Sequence, residues 1–223
     1  VMKAIKAEYP DMTLFCFFMN SINIPSSGQP SAMEALAGAG YGLYPPFVDG
    51  WLDKAPPAMK IVDGCESAYR YTTRGQFLEA ALRIKGDCQS LVSNENQVKY
   101  RAQVQASFGI YLDAYVNPEG STYYIGPKAG SRMNQLRANV TDALSAADEY
   151  IWIYGEQYRW WPTPVVYVKP EYWEQALPGV DTALRFAKDQ AGFARQLIAT
   201  GKVENLARNP DFVSDLAGWG FWQ

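Results

Sequence analysis

The stretch EYIWIYGEQYRWWP, residues 149–162, predicts both the fold and the place of the chemistry. Its first half, residues 150–154, is β-branched and aromatic without polar alternation, which is typical of a parallel strand buried on both faces. Gly155 and Glu156 end the strand, and Pro162 cannot continue it because it has no N–H. In an α/β barrel the reacting groups follow buried parallel strands, so we expect Glu156 at such a rim.

Three earlier apolar runs have the length of a strand. They lie at residues 12–19, which we expect to form a central strand, and at residues 59–62 and 106–112. Residues 41–53 are turn-rich, and residues 181–198 are expected to form a final amphipathic helix. Acids also follow the second and third runs, and amphipathic helical stretches separate the runs. Strands that recur at intervals of roughly 45 residues with helices between them indicate a repeat of parallel βα units.

This repeat predicts an α/β fold. Four units are half the number in a (β/α)8 barrel, so we interpret residues 1–200 as the C-terminal half of a TIM barrel. The earlier strands would then precede Val1. An open, doubly wound sheet is the alternative, although no Gly-rich phosphate loop follows any of the strands.

The composition excludes several kinds of site. The chain has 20 Lys and Arg against 23 Asp and Glu, and a net charge of −3 argues against a nucleic-acid surface. The absence of histidine excludes Ser-His-Asp catalysis and His-based zinc sites. Cys16, Cys65 and Cys88 match no metal or redox spacing, so we expect reduced, buried thiols, no metal and no organic cofactor. No apolar run is long enough to span a membrane.

Acids at three strand ends are the candidate catalytic residues. Glu66, Asp113 and Glu156 would converge on one rim, because parallel strands all end on the same side. Glycoside hydrolysis needs such a group: one protonated carboxyl donates to the leaving oxygen, and one ionised carboxylate attacks or activates water. Each acid on its own could instead cap a helix or form a salt bridge.

Side chains around these acids are candidates for contacts with a sugar, because aromatic rings stack on the apolar faces of pyranoses. The predicted substrate-binding residues are Asp63, Tyr69, Tyr115, Tyr154, Tyr158, Arg159, Trp160 and Trp161. A nearby arginine, either Arg159 or Arg70, would keep one carboxylate ionised. Packing in the core is the alternative for each ring.

The runs WIYGEQYRWW (residues 152–161) and DGCESAY (residues 63–69), together with the strand-end acids, resemble the C-terminal half of bacterial TIM-barrel proteins of the glycoside-hydrolase type. The resemblance implies a hydrolase of O-glycosyl bonds that acts on a poly- or oligosaccharide. In retaining barrel glycosidases an acid follows strand four in an Asn-Glu-Pro motif, which this sequence lacks. The acid/base is therefore unassigned, with Glu66 as the first choice. A non-catalytic carbohydrate-binding barrel and a structural or interaction domain remain open.

Both ends of the sequence predict a piece of a longer protein. Residues 209–212 (NPDF) and 218–219 (GW) resemble the start of jelly-roll carbohydrate-binding modules, so we interpret residues 201–223 as a linker and the beginning of a β-rich module. The expected partners are a carbohydrate substrate and either the missing N-terminal half of the barrel or a partner chain. We expect neither nucleic acid nor a membrane, and an extracellular or periplasmic location.

Overall fold

A computed structural model describes residues 2–164 and 169–201. The strands are β1 (Thr13–Cys16), β2 (Lys60–Asp63), β3 (Val104–Ala106), β4 (Gly109–Tyr111) and β5 (Trp152–Tyr154). The helices are α1 (Met2–Glu8), α2 (Ile24–Ser27), α3 (Ala32–Ala37), α4 (Tyr44–Lys54), α5 (Arg74–Lys85), α6 (Gln97–Gln103), α7 (Arg132–Ala146), α8 (Trp173–Ala176), α9 (Val180–Lys188) and α10 (Gln190–Ala199). Mixed helices and parallel strands agree with the predicted α/β class.

The strands of the described residues pair in parallel. β1 pairs with β2, β2 pairs with β3, and β4 pairs with β5. The third predicted strand is divided into β3 and β4, but backbone bonds continue across the break. Ser107 N donates to Asp63 O at 2.9 Å, and Trp152 N donates to Phe108 O at 3.1 Å. Neighbouring strands therefore follow one another in chain order.

One face of the sheet packs on the helices. Successive residues of a strand point to opposite faces, and Ile61 lies beside Val104 in the register. Both side chains belong to a buried core. The helices contribute Phe77 and Ile84 from α5, Tyr100 from α6, and Leu136 and Val140 from α7. Burial of these large apolar groups is the main stabilising contribution to the fold.

The opposite face is lined by aromatic rings from the two outer strands. Phe15 meets Tyr150 edge to face with ring centroids 6.4 Å apart, and Phe17 stacks on Trp152 at 4.6 Å. Gly109 leaves room for Trp152, since a Cβ at this glycine would lie 2.8 Å from the indole. The two ends of the sheet therefore contact each other across its centre.

This arrangement corrects the predicted burial of the outer strands. Residues 12–19 were expected to form a central strand and residues 150–154 a strand buried on both faces, yet β1 and β5 are the outer strands. Phe17 is 62% exposed, and Tyr150 and Tyr154 are each 40% exposed. Their apolar sequence reflects rings that pack over the sheet, which a pattern of hydrophobicity cannot distinguish from burial beneath helices.

Two helices also differ from the sequence-based interpretation. Residues 41–53 were expected to be turns, but α4 forms because its prolines occupy the first helical turn, where a missing N–H breaks no bond. The expected final helix, residues 181–198, is divided at Asp189. The carboxylate of Asp189 accepts from Gly192 N at 2.8 Å and begins α10.

The predicted linker and module start, residues 201–223, lies outside the described residues from position 202 onward, and residues 165–168 lie outside them as well. Within the described ranges, every helix is too short or too polar to cross a membrane.

Candidate functional site

The strand-end acids share one end of the sheet. Glu66 begins a short 3₁₀ helix (Glu66–Arg70) after β2, and Asp113 lies in another (Leu112–Tyr115) after β4. Glu156 follows β5 by two residues. Because the strands are parallel, all three acids stand at the same carboxyl rim. None of them joins an ion pair within residues 2–164 and 169–201.

Glu156 is held by two phenols. Tyr111 Oη donates to its Oε1 at 2.5 Å, and Tyr154 Oη donates to its Oε2 at 2.9 Å. Burial and the bond to Glu156 raise the pKa of Tyr111, and the bond to Glu156 together with burial raises the pKa of Tyr154. Both phenols therefore stay protonated at neutral pH and serve as donors. The carboxylate is exposed but has a fixed orientation.

Asp113 holds the backbone of Glu156 in place through hydrogen bonds. Its two oxygens accept the backbone N–H groups of Glu156 at 2.9 Å and Gln157 at 3.1 Å. The side chain is fully buried, and burial raises the pKa of its carboxyl. With no surface facing solvent, Asp113 positions the loop after β5 and does not reach a substrate in this arrangement.

Asp63 has a similar structural function at the end of β2. Its carboxylate accepts from Met19 N at 3.1 Å, from Ser21 N at 2.7 Å, from Ser21 Oγ at 2.5 Å and from Cys65 N at 3.3 Å. Asp63 is fully buried and joins the segment after β1 to β2. The structure therefore gives it no contact surface for a sugar.

Glu66 is half-buried and accepts no hydrogen bond from the described part of the chain. The residue before it, Cys65, has a left-handed backbone with φ of 40°, which is unusual and unfavourable for a side chain other than glycine. Gly64 approaches the outer strand closely, since a Cβ there would lie 2.6 Å from Cys16 O. This tight turn immediately precedes Glu66 and begins the 3₁₀ helix that carries it.

Tyr69, Tyr111 and Tyr154 form a cluster of stacked phenols at this rim. Tyr69 stacks on Tyr111 at 5.0 Å and on Tyr154 at 6.1 Å. Burial raises the pKa of Tyr69, and the charge of Glu66 raises it further. Tyr154 is bonded to Glu156 and also feels the charge of Glu66. Both carboxyl groups are therefore near the same phenol cluster.

A cavity of about 310 Å³ opens beside Glu66. Its lining consists of Phe18, Ile22, Tyr41, Glu66, Ser67, Arg70 and Tyr123. The ring of Phe18 meets Tyr41 edge to face at 5.2 Å, and the guanidinium of Arg70 lies 4.8 Å from the centroid of Tyr123. Aromatic walls around a few polar groups are typical of a small-ligand site.

The remaining predicted contact residues are divided between rim and core. Tyr69 and Tyr154 belong to the phenol cluster. Tyr115 is buried and its Oη accepts from Asn139 Nδ2 at 2.7 Å, so it packs against α7 away from the rim. The expectation that Tyr115 contacts a substrate is not supported by this position.

The loop after Glu156 carries the other candidates. Tyr158 is half-buried, and a guanidinium nitrogen of Arg159 donates to Thr163 O at 3.0 Å. Trp160 is exposed, and Trp161 is 68% exposed. These two indoles are available to stack on a ligand, whereas the Arg159 side chain bonds within its own loop.

Sequence reasoning missed two residues that shape this loop. Tyr111 lies 45 residues from Glu156 in the chain. The one signal in the sequence was a residue with a hydroxyl group at the end of a predicted strand. Trp173 is buried against Gly155, where a Cβ would come within 2.3 Å of the indole. Its backbone N–H also donates to Arg159 O at 2.9 Å. Nothing in the local sequence of α8 indicates this packing.

No cluster of metal-binding side chains occurs within residues 2–164 and 169–201. Comparison with protein-family models, with curated proteins and with solved structures finds no match for this chain. Function is therefore inferred from the geometry of the rim.

Proposed function

We propose that this chain is the C-terminal half of a (β/α)8 barrel that hydrolyses glycosidic bonds in an oligo- or polysaccharide, with Glu66 and Glu156 as the reacting carboxyl groups. The observation that carries the proposal is their shared position. Both follow parallel strands at the same rim, both are accessible, and both stand beside the same phenol cluster.

The order of the strands supports a barrel. Doubly wound sheets reverse their strand order at a switch point, whereas barrel strands are neighbours in chain order. Here the order is β1, β2, β3 with β4, and then β5. The outer strands each pair on one side within the described residues, as expected of strands that continue into another half.

The spacing of the strands that precede the two glutamates is compatible with inversion. β2 and β5 flank the strand formed by β3 and β4, so their ends lie roughly 10 Å apart, twice the usual spacing of neighbouring strands. Inverting glycosidases separate their carboxyl groups by about 6.5–9.5 Å to admit a water molecule. We propose an inverting pair in which Glu66 protonates the leaving oxygen and Glu156 activates water, because the hydrogen bonds around Glu156 present its carboxylate as an acceptor.

The support around Glu156 suits a base. Two phenols hold both of its oxygens as acceptors, and Asp113 fixes its backbone. A base must be held in orientation because proton transfer depends on distance and alignment. Asp113 is thus a positioning residue.

A carbohydrate-binding barrel without catalysis is the second candidate. Exposed Trp160 and Trp161 favour it, because sugar stacking on indoles needs no acid. An interaction domain is the third candidate, since the exposed rings on β1 and β5 could instead face another protein.

Release of reducing ends from a panel of oligosaccharides tests the proposal in the complete polypeptide in which the chain occurs. We expect Glu66→Gln and Glu156→Gln each to lower the rate at least 100-fold, in line with the loss of general acid–base catalysis. Glu149→Gln is the matched control, since Glu149 precedes β5 at the opposite end and pairs with Lys60. Binding without hydrolysis would favour the second candidate, and hydrolysis that survives both variants would exclude the assignment.

A further inference from the structure

Arg70 lies on the wall of the cavity beside Glu66. Within residues 2–164 and 169–201 it forms no ion pair, and its guanidinium lies over the ring of Tyr123, 4.8 Å from the centroid. Most exposed arginines are solvated and bind no ligand. Whether Arg70 can bind one depends on where its guanidinium lies.

The position of Arg70 is fixed by its neighbours. Tyr123 packs edge to face against Tyr69 at 6.1 Å and Tyr111 at 5.3 Å, and its carbonyl accepts from Asn117 Nδ2 at 2.8 Å. A guanidinium over such an anchored ring is held by cation–π attraction. No acceptor among the described residues bonds its N–H donors, and a guanidinium can bind a planar anion in a bidentate manner.

The lining of the cavity includes one acidic and one basic residue. Of the described residues in its lining, Glu66 and Arg70 are the charged ones. An anionic group that entered would be attracted by Arg70 and repelled by an ionised Glu66. A bound sugar would therefore turn its anionic group toward Arg70 and its neutral glycosidic oxygen toward Glu66, as the proposed acid requires.

We propose that this cavity is a subsite for a uronic acid, whose carboxylate binds Arg70 while the pyranose ring lies against Tyr41 and Phe18. The inference rests on the proposed function and narrows the substrate to an acidic polysaccharide. A carboxylate matches the guanidinium fork in both shape and charge.

Affinity measurements test the subsite in the complete polypeptide carrying Glu156→Gln, which prevents turnover. The probes are trigalacturonate and the same trimer with its carboxylates converted to amides. We expect the acid to bind at least 10-fold more tightly than the amide, and this preference to weaken with added salt. Arg70→Met should remove the preference, and Arg70→Lys should retain part of it. Arg74→Met, an exposed arginine in the first turn of α5, is the control and should leave it unchanged.

Equal affinity for acid and amide, or an unchanged preference in Arg70→Met, would overturn the subsite. Tighter binding of a sulfated neutral trimer than of trigalacturonate would overturn its assignment to a uronate. The proposed hydrolysis would survive these results if Glu66→Gln and Glu156→Gln still abolished cleavage of a neutral substrate. Failure of all trimers to bind, together with no effect of those two variants on any substrate, would reject both proposals.

Discussion

Tyr111 controls the orientation of Glu156 from the buried side of the rim. Tyr111→Phe keeps the ring that stacks on Tyr69 and removes only the donor to Oε1. We expect kcat to fall at least 10-fold with little change in KM, because the base loses alignment and the substrate loses no contact. The free energy of unfolding should fall by about 1.5 kcal/mol, the lower end of the usual contribution of a bond to a charged group, because Glu156 is exposed. Steady-state kinetics and urea unfolding measure both quantities.

Tyr9→Phe is the matched control, because Tyr9 is exposed and lies beyond α1, away from the rim. It should change neither kcat nor stability. A Tyr111→Phe variant with full kcat would contradict the assignment of Glu156 as the base.

Asp63 makes stability depend on pH. Burial raises the pKa of its carboxyl, although the bonds from Ser21 and from the backbone of Cys65 and Met19 oppose this. The folded state therefore binds the proton more tightly than the unfolded state. The stability from this group is complete below its unfolded pKa of about 4 and is lost as pH rises through the raised value.

Asp63→Asn should remove that contribution. We expect the free energy of unfolding of the unmodified chain, minus that of the variant, to fall as pH rises above about 4. Urea unfolding between pH 3.5 and 8 measures the difference. Groups such as Glu149, whose pKa is lowered by Lys60, act in the opposite direction but cancel in the comparison. A difference that does not vary with pH would show that burial does not control this carboxyl.

At the scale of the element, Gly64 allows the backbone at the end of β1 to approach the end of β2. A Cβ on Gly64 would lie 2.6 Å from Cys16 O and 2.7 Å from Phe17 O, and both of these are backbone atoms that cannot move aside. We expect Gly64→Ala to lower the free energy of unfolding by about 2–3 kcal/mol, as overpacking does elsewhere. Urea unfolding measures the change.

Gly50→Ala is the matched control. Gly50 lies inside α4 on the exposed side, and no atom comes within 4 Å of a Cβ placed there. Its replacement should raise the free energy of unfolding by about 0.5–1 kcal/mol, because alanine is the better helix former. Similar losses from both variants would mean that close approach is not what Gly64 provides.

The strands could be located from the sequence because each is a short apolar run. The sequence could not show whether their side chains pack beneath helices or over the open face of the sheet. Phe17 and Tyr150 have the same apolar character as core residues, and only the register shows that their rings cover one face of the sheet. The helix α4 was missed because Pro45 and Pro46 were interpreted as turn residues, when a first helical turn also accepts them.

The candidate site was partly predictable for a related reason. An acid after a parallel strand is recognisable, so Glu66 and Glu156 could be named. The sequence does not show whether such an acid faces solvent or a neighbouring backbone. Asp113 binds the N–H groups of the loop after β5. Contacts between residues far apart in the chain, such as Tyr111 with Glu156, depend on the packed strands themselves.

At the scale of the whole molecule, the sheet presents two outer strands to solvent. β1 and β5 each pair on one side within the described residues, and Phe17 projects from the end of β1 with 62% of its surface exposed. Unpaired strand edges beside apolar rings are templates for further pairing. The proposed half-barrel should therefore be incomplete in isolation.

The 223-residue chain on its own should self-associate as its concentration rises, because a second copy can cover the edges that the other half of a barrel would cover. Light scattering during gel filtration measures the mass, and a dye that binds apolar surface reports the exposed rings. Phe17→Lys should shift the chain toward monomer, since a charged side chain at an edge disfavours pairing. Leu82→Lys is the control, because Leu82 is exposed on α5, a helix on the other side of the core. A monomer at every concentration, with no dye binding and no effect of Phe17→Lys, would mean that the sheet is complete as it stands and that the barrel proposal is wrong.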